Sequence, residues 1–379
     1  MDKSIKSAST FFTANLYGSN SFSNKSQENI VNLSKSISQD LITKSVNVLF
    51  IGFNEDCSCF FCGTNKGFYV YNLNPFRERF HREFNGGIGI IEQLGKTNIV
   101  MLVGGGNSPQ FPPNQVVIWD DYQNKQLTEL TFSSEVKSVK CRQDKVIIIL
   151  YEKVVIHKFD DLSLIKQYET YINPDGLGDI SGQSGYQVLA IPGNKIGDLR
   201  IEMLDTNKSY IISAHKQELS QIRLNNNGKM CATASNRGTI IRIWDTRRGK
   251  ILRELRRGIE PVNILSLAFD LKDTALCVSS DKGTAHVYSL IPREDAMEYE
   301  KNRKSNLGFM KKYLPTYFAS EWSLMSFSVP SGATSICGFI PGDKSTLMII
   351  TKIGKIYYYR LIPEQNLIQL INTDFYDDC

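Results

Sequence analysis

The chain of 379 residues carries 44 Lys and Arg against 39 Asp and Glu, a formal charge of +5, with 41% hydrophobic, 11% aromatic and 22% charged residues. That composition excludes a disordered or fibrous chain, and the charge is too small for the even basic coat of a general nucleic-acid binder. No run of about 18 apolar residues marks a membrane-spanning helix, and MDKSIKSAST at the start lacks the apolar core of a signal peptide, so a cytoplasmic protein is expected.

Residues 1–40 are rich in Ser, Asn and Lys with weak periodicity and read as a flexible segment, from which one strand could still be drawn to close the fold. From residue 41 onward short runs of β-branched and aromatic residues recur, often closed by Asp or Asn. They are GFYVYNL (67–73), VVIWDD (116–121), VVIHKFDDL (154–162), LRIEMLD (199–205), IIRIWDT (240–246), TAHVYSL (284–290) and KIYYYRL (355–361). Tyr71, Trp119, Phe159, Leu204, Trp244 and Tyr288 stand 40 to 48 residues apart, the period of a four-stranded propeller blade. The expectation is an all-β, seven-bladed propeller over residues 41–379 as a single domain. Tyr288 to Tyr359 is 71 residues, so about 27 extra residues are expected in the final repeat, as a loop near 291–325.

Eight cysteines sit mostly in apolar runs and read as buried reduced thiols; CSCFFC (57–62) lacks a second pair at zinc-binding spacing, so no metal is expected. There is no GxSxG elbow, Walker loop, HExxH or paired-carboxylate motif, and four histidines leave little for acid–base work, so the reading is no enzyme, no catalytic residue and no cofactor.

Charge gathers instead at RIWDTRRGKILRELRRG (242–258), where Arg256 and Arg257 are adjacent at the end of a strand. Neighbouring side chains on a strand point to opposite sides, so the two arginines are expected to serve two pockets, each completed by an adjoining blade. On the earlier side stand His215, Thr233, Ser235, Arg237, Gly238, Thr239 and Arg242; on the later side Gly258, Ser266, Ser280, Lys282, Thr284 and His286. Hydroxyls, imidazoles and guanidinium without a central carboxylate base form an anion site. The same Thr, Ser and His residues also belong to ordinary propeller chemistry, in which they bond to one another and to turns.

The RRG turn, preceded by ATASNRGTIIRIWDT and followed by VSSDKGTAHVYSL, resembles the PROPPIN family of seven-bladed WD-repeat propellers of autophagy that bind phosphoinositides. The resemblance extends to FNEDCSCFFCGTNKGFYVYN (53–72) and VGGGNSPQFPPNQVVIWDD (103–121), with Leu255 where the family usually has Phe, a Leu-Arg-Arg-Gly subgroup. It implies binding of phosphatidylinositol 3-phosphate and phosphatidylinositol 3,5-bisphosphate. The first site would use His215, Thr233, Ser235, Gly238, Thr239, Arg242 and Arg256, and the second Arg257, Gly258, Ser266, Ser280, Thr284 and His286. It further implies a peripheral scaffold recruited to preautophagosomal, endosomal and vacuolar membranes, with autophagy scaffold proteins as partners on other blades, no nucleic acid, and a monomer in solution.

The long loop fits an interfacial anchor. Its basic residues include Lys311 and Lys312, interleaved with Leu307, Phe309, Met310, Tyr313, Leu314, Tyr317 and Phe318, whereas residues 322–329 alternate as a blade's own strand. The rival reading is a WD-repeat scaffold that binds only proteins, at its central channel. Such a protein keeps its partners when Arg256 and Arg257 are changed.

Overall fold

The computed structural model describes residues 46–142, 144–181, 186–303, 320–329, 334–343 and 345–375. Its strands follow one another in seven sheets. The first sheet comprises β1 (Val48–Phe53), β2 (Cys59–Thr64), β3 (Gly67–Leu73) and β4 (Phe76–Glu83), and the second β5 (Ile88–Gln93), β6 (Ile99–Gly104), β7 (Gln115–Asp120) and β8 (Lys125–Thr131). The third holds β9 (Ser138–Arg142), β10 (Lys145–Ile149), β11 (Lys153–Lys158) and β12 (Leu164–Glu169), and the fourth β13 (Asp179–Ile180), β14 (Val188–Pro192), β15 (Asp198–Met203) and β16 (Lys208–Ser213). The fifth is built from β17 (Leu219–Leu224), β18 (Met230–Ser235), β19 (Ile240–Asp245) and β20 (Lys250–Arg256). The sixth contains β21 (Ile264–Phe269), β22 (Ala275–Ser280) and β23 (Thr284–Ser289). After β24 (Glu321–Trp322) comes its fourth strand, β25 (Met325–Ser328), and the seventh sheet runs through β26 (Ser335–Phe339), β27 (Thr346–Thr351), β28 (Lys355–Ile362) and β29 (Leu367–Phe375).

The first strands β1, β5, β9, β13, β17, β21 and β26 touch in succession, and β26 returns to β1, so the sheets close into a seven-bladed propeller. Each sequence motif of the repeat lies on the third strand of its blade, from β3 to β28. Those strands are largely buried because each blade is sandwiched between two others, and the second strands carry apolar side chains on both faces. In β2, for example, Phe60 and Cys62 join a cluster shared with the seventh blade, while Cys59 and Phe61 join one shared with the second. One such cluster fills every junction between neighbouring blades, and this is where the core sits.

One expectation is corrected in detail. Among the described residues the seven sheets begin at Val48, and the first blade packs on the seventh. The extra residues before the last motif separate β23 from β25, inside the sixth blade rather than the seventh, because the motif-to-motif interval runs from one third strand to the next. The residues given to membrane contact, Leu307, Phe309, Met310, Lys311, Lys312, Tyr313, Leu314, Tyr317 and Phe318, lie outside the described residues, as do residues 1–45. Among the described residues no helix is long and apolar enough to cross a membrane.

Candidate functional site

Arg256 ends β20, the fourth strand of the fifth blade, and Arg257 follows it. Leu255 is fully buried in the cluster shared with the sixth blade. Strand alternation then turns Arg256 to the opposite face, in register with Ile240 of β19, and Arg257 back toward the sixth blade. The chain beyond β20 is held by the turn between β18 and β19: Arg257 N–H donates to the Thr239 carbonyl at 2.9 Å and Val262 N–H to that of Arg237 at 3.1 Å. Gly238 permits this contact. Its φ is +62°, and a β-carbon there would lie 2.0 Å from the Val262 carbonyl oxygen.

On the face toward the fourth blade, His215 Nε2 and the Thr233 hydroxyl are 3.0 Å apart, and Trp244 Nε1–H donates to the same hydroxyl at 2.9 Å. Thr233 has no exposed surface, so this chain is internal to the blade junction. Arg242 lies beside it, donating through Nη1 to the Ala214 carbonyl at 2.6 Å and through Nε and Nη2 to Glu254 at 3.1 and 3.0 Å. Its charge is therefore met within the protein. Arg256, itself buried, donates from Nε to Ser320 Oγ at 2.9 Å, and Ser235 and Thr239 are buried nearby in sequence. Arg237 differs: it is exposed, its guanidinium has no partner among the described residues, and it borders an open recess with Gln217, Asn236 and Pro261.

On the face toward the sixth blade, Arg257 Nε and Nη2 are sealed from solvent and neither has a hydrogen-bond partner among the described residues. Burial lowers the pKa of this guanidinium from the usual arginine value, with Tyr288, Asp281 and Glu260 opposing through their charge. His286 Nδ1 lies 3.1 Å from Ser323 Oγ and its ring stacks near that of Tyr288, whose hydroxyl is also buried and unpartnered. The Ser280 and Thr284 hydroxyls pair at 3.0 Å. Ser266 stands apart: its hydroxyl accepts from the Cys337 amide of the seventh blade at 3.2 Å, and no hydrogen bond joins it to Arg257. Gly258 faces open space, where an added β-carbon would meet nothing within 4 Å.

The short segment after residue 319 is the part that sequence reasoning missed. Ser320 reaches Arg256 and Ser323 reaches His286, while Glu321 receives Arg253 at 3.2 Å and Asn302 at 2.8 Å. The expected strand over 322–329 is two: Glu321–Trp322 pairs in parallel with β20, and only Met325–Ser328 belongs to the sixth blade. Nothing local in the sequence signals these contacts, whose partners are 19 or more residues away.

The two imidazoles bear on charge at the site. Burial, then the charge of Arg242, pushes His215 down to about 4, and burial, then Arg257, does the same to His286. Both are neutral at pH 7, so positive charge here comes from guanidinium. Their folded values lie below the unfolded 6.5, so between about pH 6.5 and 4 the unfolded chain takes up protons that the folded one does not. Stability is then full above pH 6.5 and falls as the pH drops. Thermal melting between pH 7.5 and 5 is expected to show a steeper fall for the parent than for His215→Gln/His286→Gln; equal slopes would contradict the assignment.

The fold and this site define a WD-type propeller whose rim presents cationic groups, one of them, Arg257, half-buried with two guanidinium nitrogens sealed from solvent. The PROPPIN family profile matches residues 47–373, and the chain belongs to the PROPPIN family. It is 37% identical over 316 residues to SVP1-like protein 2 of Pichia angusta, covering 80% of this chain and 88% of that one. It is 34% identical to Autophagy-related protein 18e of Arabidopsis thaliana, covering 82% and 83%. The crystal structure of Hsv2 from Kluyvelomyces marxianus superposes with a TM-score of 0.72 at 24% identity, covering 87% of this chain and 99% of that chain, which is a likeness of fold.

Proposed function

We propose that the protein is a phosphoinositide-binding peripheral membrane scaffold of autophagy and of endosomal and vacuolar traffic. It binds phosphatidylinositol 3-phosphate and phosphatidylinositol 3,5-bisphosphate in two rim pockets. The observation that carries the reading is Arg257, whose Nε and Nη2 are desolvated without a partner. The desolvation of these two nitrogens is a cost that a bound phosphate would offset, and the family supplies the lipid. In the first pocket Arg256 and the exposed Arg237 supply charge, Ser235 and Thr239 line the wall, and His215, Thr233, Gly238 and Arg242 hold it in shape. In the second, Arg257 is joined by His286, Ser280 and Thr284, with Gly258 leaving the approach open.

Two pockets on one rigid rim act together. Each basic residue near an anionic leaflet contributes about 1 kcal/mol, and linked sites multiply rather than add their affinities. The ring would stand on its edge at the membrane, leaving other blades for autophagy scaffold proteins, and the chain acts as a monomer that binds rather than as an enzyme. The rival channel-binding reading meets inner-strand charges that are matched internally: Arg142 pairs with Glu55 at 2.8 Å, Lys140 with Glu92 at 3.6 Å and Arg223 with Asp179 at 3.6 Å. Co-sedimentation with phosphatidylcholine–phosphatidylserine vesicles, with and without phosphatidylinositol 3-phosphate, tests the proposal. Sedimentation is expected only when the phosphoinositide is present; equal recovery on both vesicles, or on neither, would overturn it.

A further inference from the structure

The turn that joins the fifth blade to the sixth, Arg257-Gly258-Ile259-Glu260-Pro261, separates the two cationic groups: Pro261 borders the recess beside Arg237, and Arg257 faces the sixth blade. At its tip Ile259 is 67% exposed, the most exposed aliphatic side chain among the described residues. A single exposed isoleucine is unremarkable on most surfaces. Here it sits between two groups suited to anions, beside a glycine with open space around it, and nothing in the sequence or the fold requires an apolar residue at that tip.

We infer that Ile259 is an apolar membrane contact placed between the two headgroup pockets, and that it enters the boundary between headgroups and acyl chains when both are filled. The inference rests on the proposed lipid function of the same rim. A cation on each side meets the phosphates while the aliphatic tip goes deeper, the arrangement that interfacial segments use. Glu260, also exposed, faces the same surface; its charge is opposed by Arg257, so the turn need not be repelled. This contact requires no change of fold, since the side chain already stands in solvent.

The experiment compares the parent, Ile259→Ser and Ile259→Trp, all expected to fold because the side chain stands mostly in solvent. Vesicles of phosphatidylcholine and phosphatidylserine carrying phosphatidylinositol 3-phosphate report membrane binding, and soluble inositol 1,3-bisphosphate reports the pockets alone. Ile259→Ser is expected to weaken vesicle binding about tenfold and leave the soluble headgroup affinity unchanged. Ile259→Trp is expected to bind vesicles at least as well as the parent, with a blue-shifted emission that the parent does not show. Vesicle binding of Ile259→Ser within twofold of the parent overturns the inference while leaving the pockets standing. An equal loss on vesicles and soluble headgroup also overturns it, because Ile259 would then act through pocket shape. A parent that binds neither probe overturns the proposed function and this inference together.

Discussion

Arg256→Thr/Arg257→Thr is expected to abolish phosphoinositide-dependent sedimentation while the protein stays folded. Each guanidinium offers charge-assisted hydrogen bonds to a phosphate worth about 1.5–3 kcal/mol apiece, so losing both pockets lowers vesicle affinity by a hundredfold or more. The structural cost should be smaller. Arg256 gives up its bond to Ser320, but Arg257 gives up a buried charge with two unpartnered nitrogens, and its removal relieves a desolvation penalty. Single changes should leave partial binding, because the surviving pocket still holds one headgroup and the loss is one of linked valency. Sedimentation unchanged in the double variant, with an intact circular-dichroism spectrum, would assign the pair to a protein partner instead. A parent that melts well below the Arg257→Thr variant would support the desolvation argument; the reverse order would contradict it.

Strand alternation puts Arg256 and Arg257 on opposite faces, a step that needs only the strand period, which β20 keeps through Leu255. The blade count was legible for a similar reason. The third strand of each blade is largely buried, so each motif is rich in β-branched and aromatic residues, and seven of them, the first six spaced 40 to 48 residues apart, leave one architecture. What sequence could not supply were pairings across distance. Arg242 reads as a free cation until the hairpin register sets it opposite Glu254, and Ser266 reads as a hydroxyl of the second pocket until the inner strand turns it to Cys337. Ser320 and Ser323 follow a long intervening segment, and their reach to Arg256 and His286 is a property of the closed ring. Arg237 was visible only as one more polar residue; its exposure, against the pairing of Arg242, distinguishes it.

Thr233 shows how a residue type typical of ligand binding can be required first by the fold. Its hydroxyl has one proton and two lone pairs, and Trp244 Nε1–H already occupies one lone pair. If the hydroxyl donates to His215 Nε2, no proton remains for a phosphate oxygen, and complete burial keeps any ligand away in either tautomer. Thr233→Val keeps the shape and removes the hydroxyl, leaving the indole N–H and the imidazole nitrogen without partners in a sealed junction. Each orphaned group costs about 1–3 kcal/mol, which together should lower the melting temperature by on the order of 5–10 °C. Thr233→Ser, which restores the hydroxyl and deletes a methyl group, should recover most of that loss. Below its melting transition Thr233→Val is expected to bind phosphoinositide vesicles within a few-fold of the parent, since Arg256 and Arg257 are untouched. A variant that melts like the parent but loses vesicle binding would place Thr233 among the lipid ligands and make the buried hydrogen-bond chain one that opens to admit a headgroup.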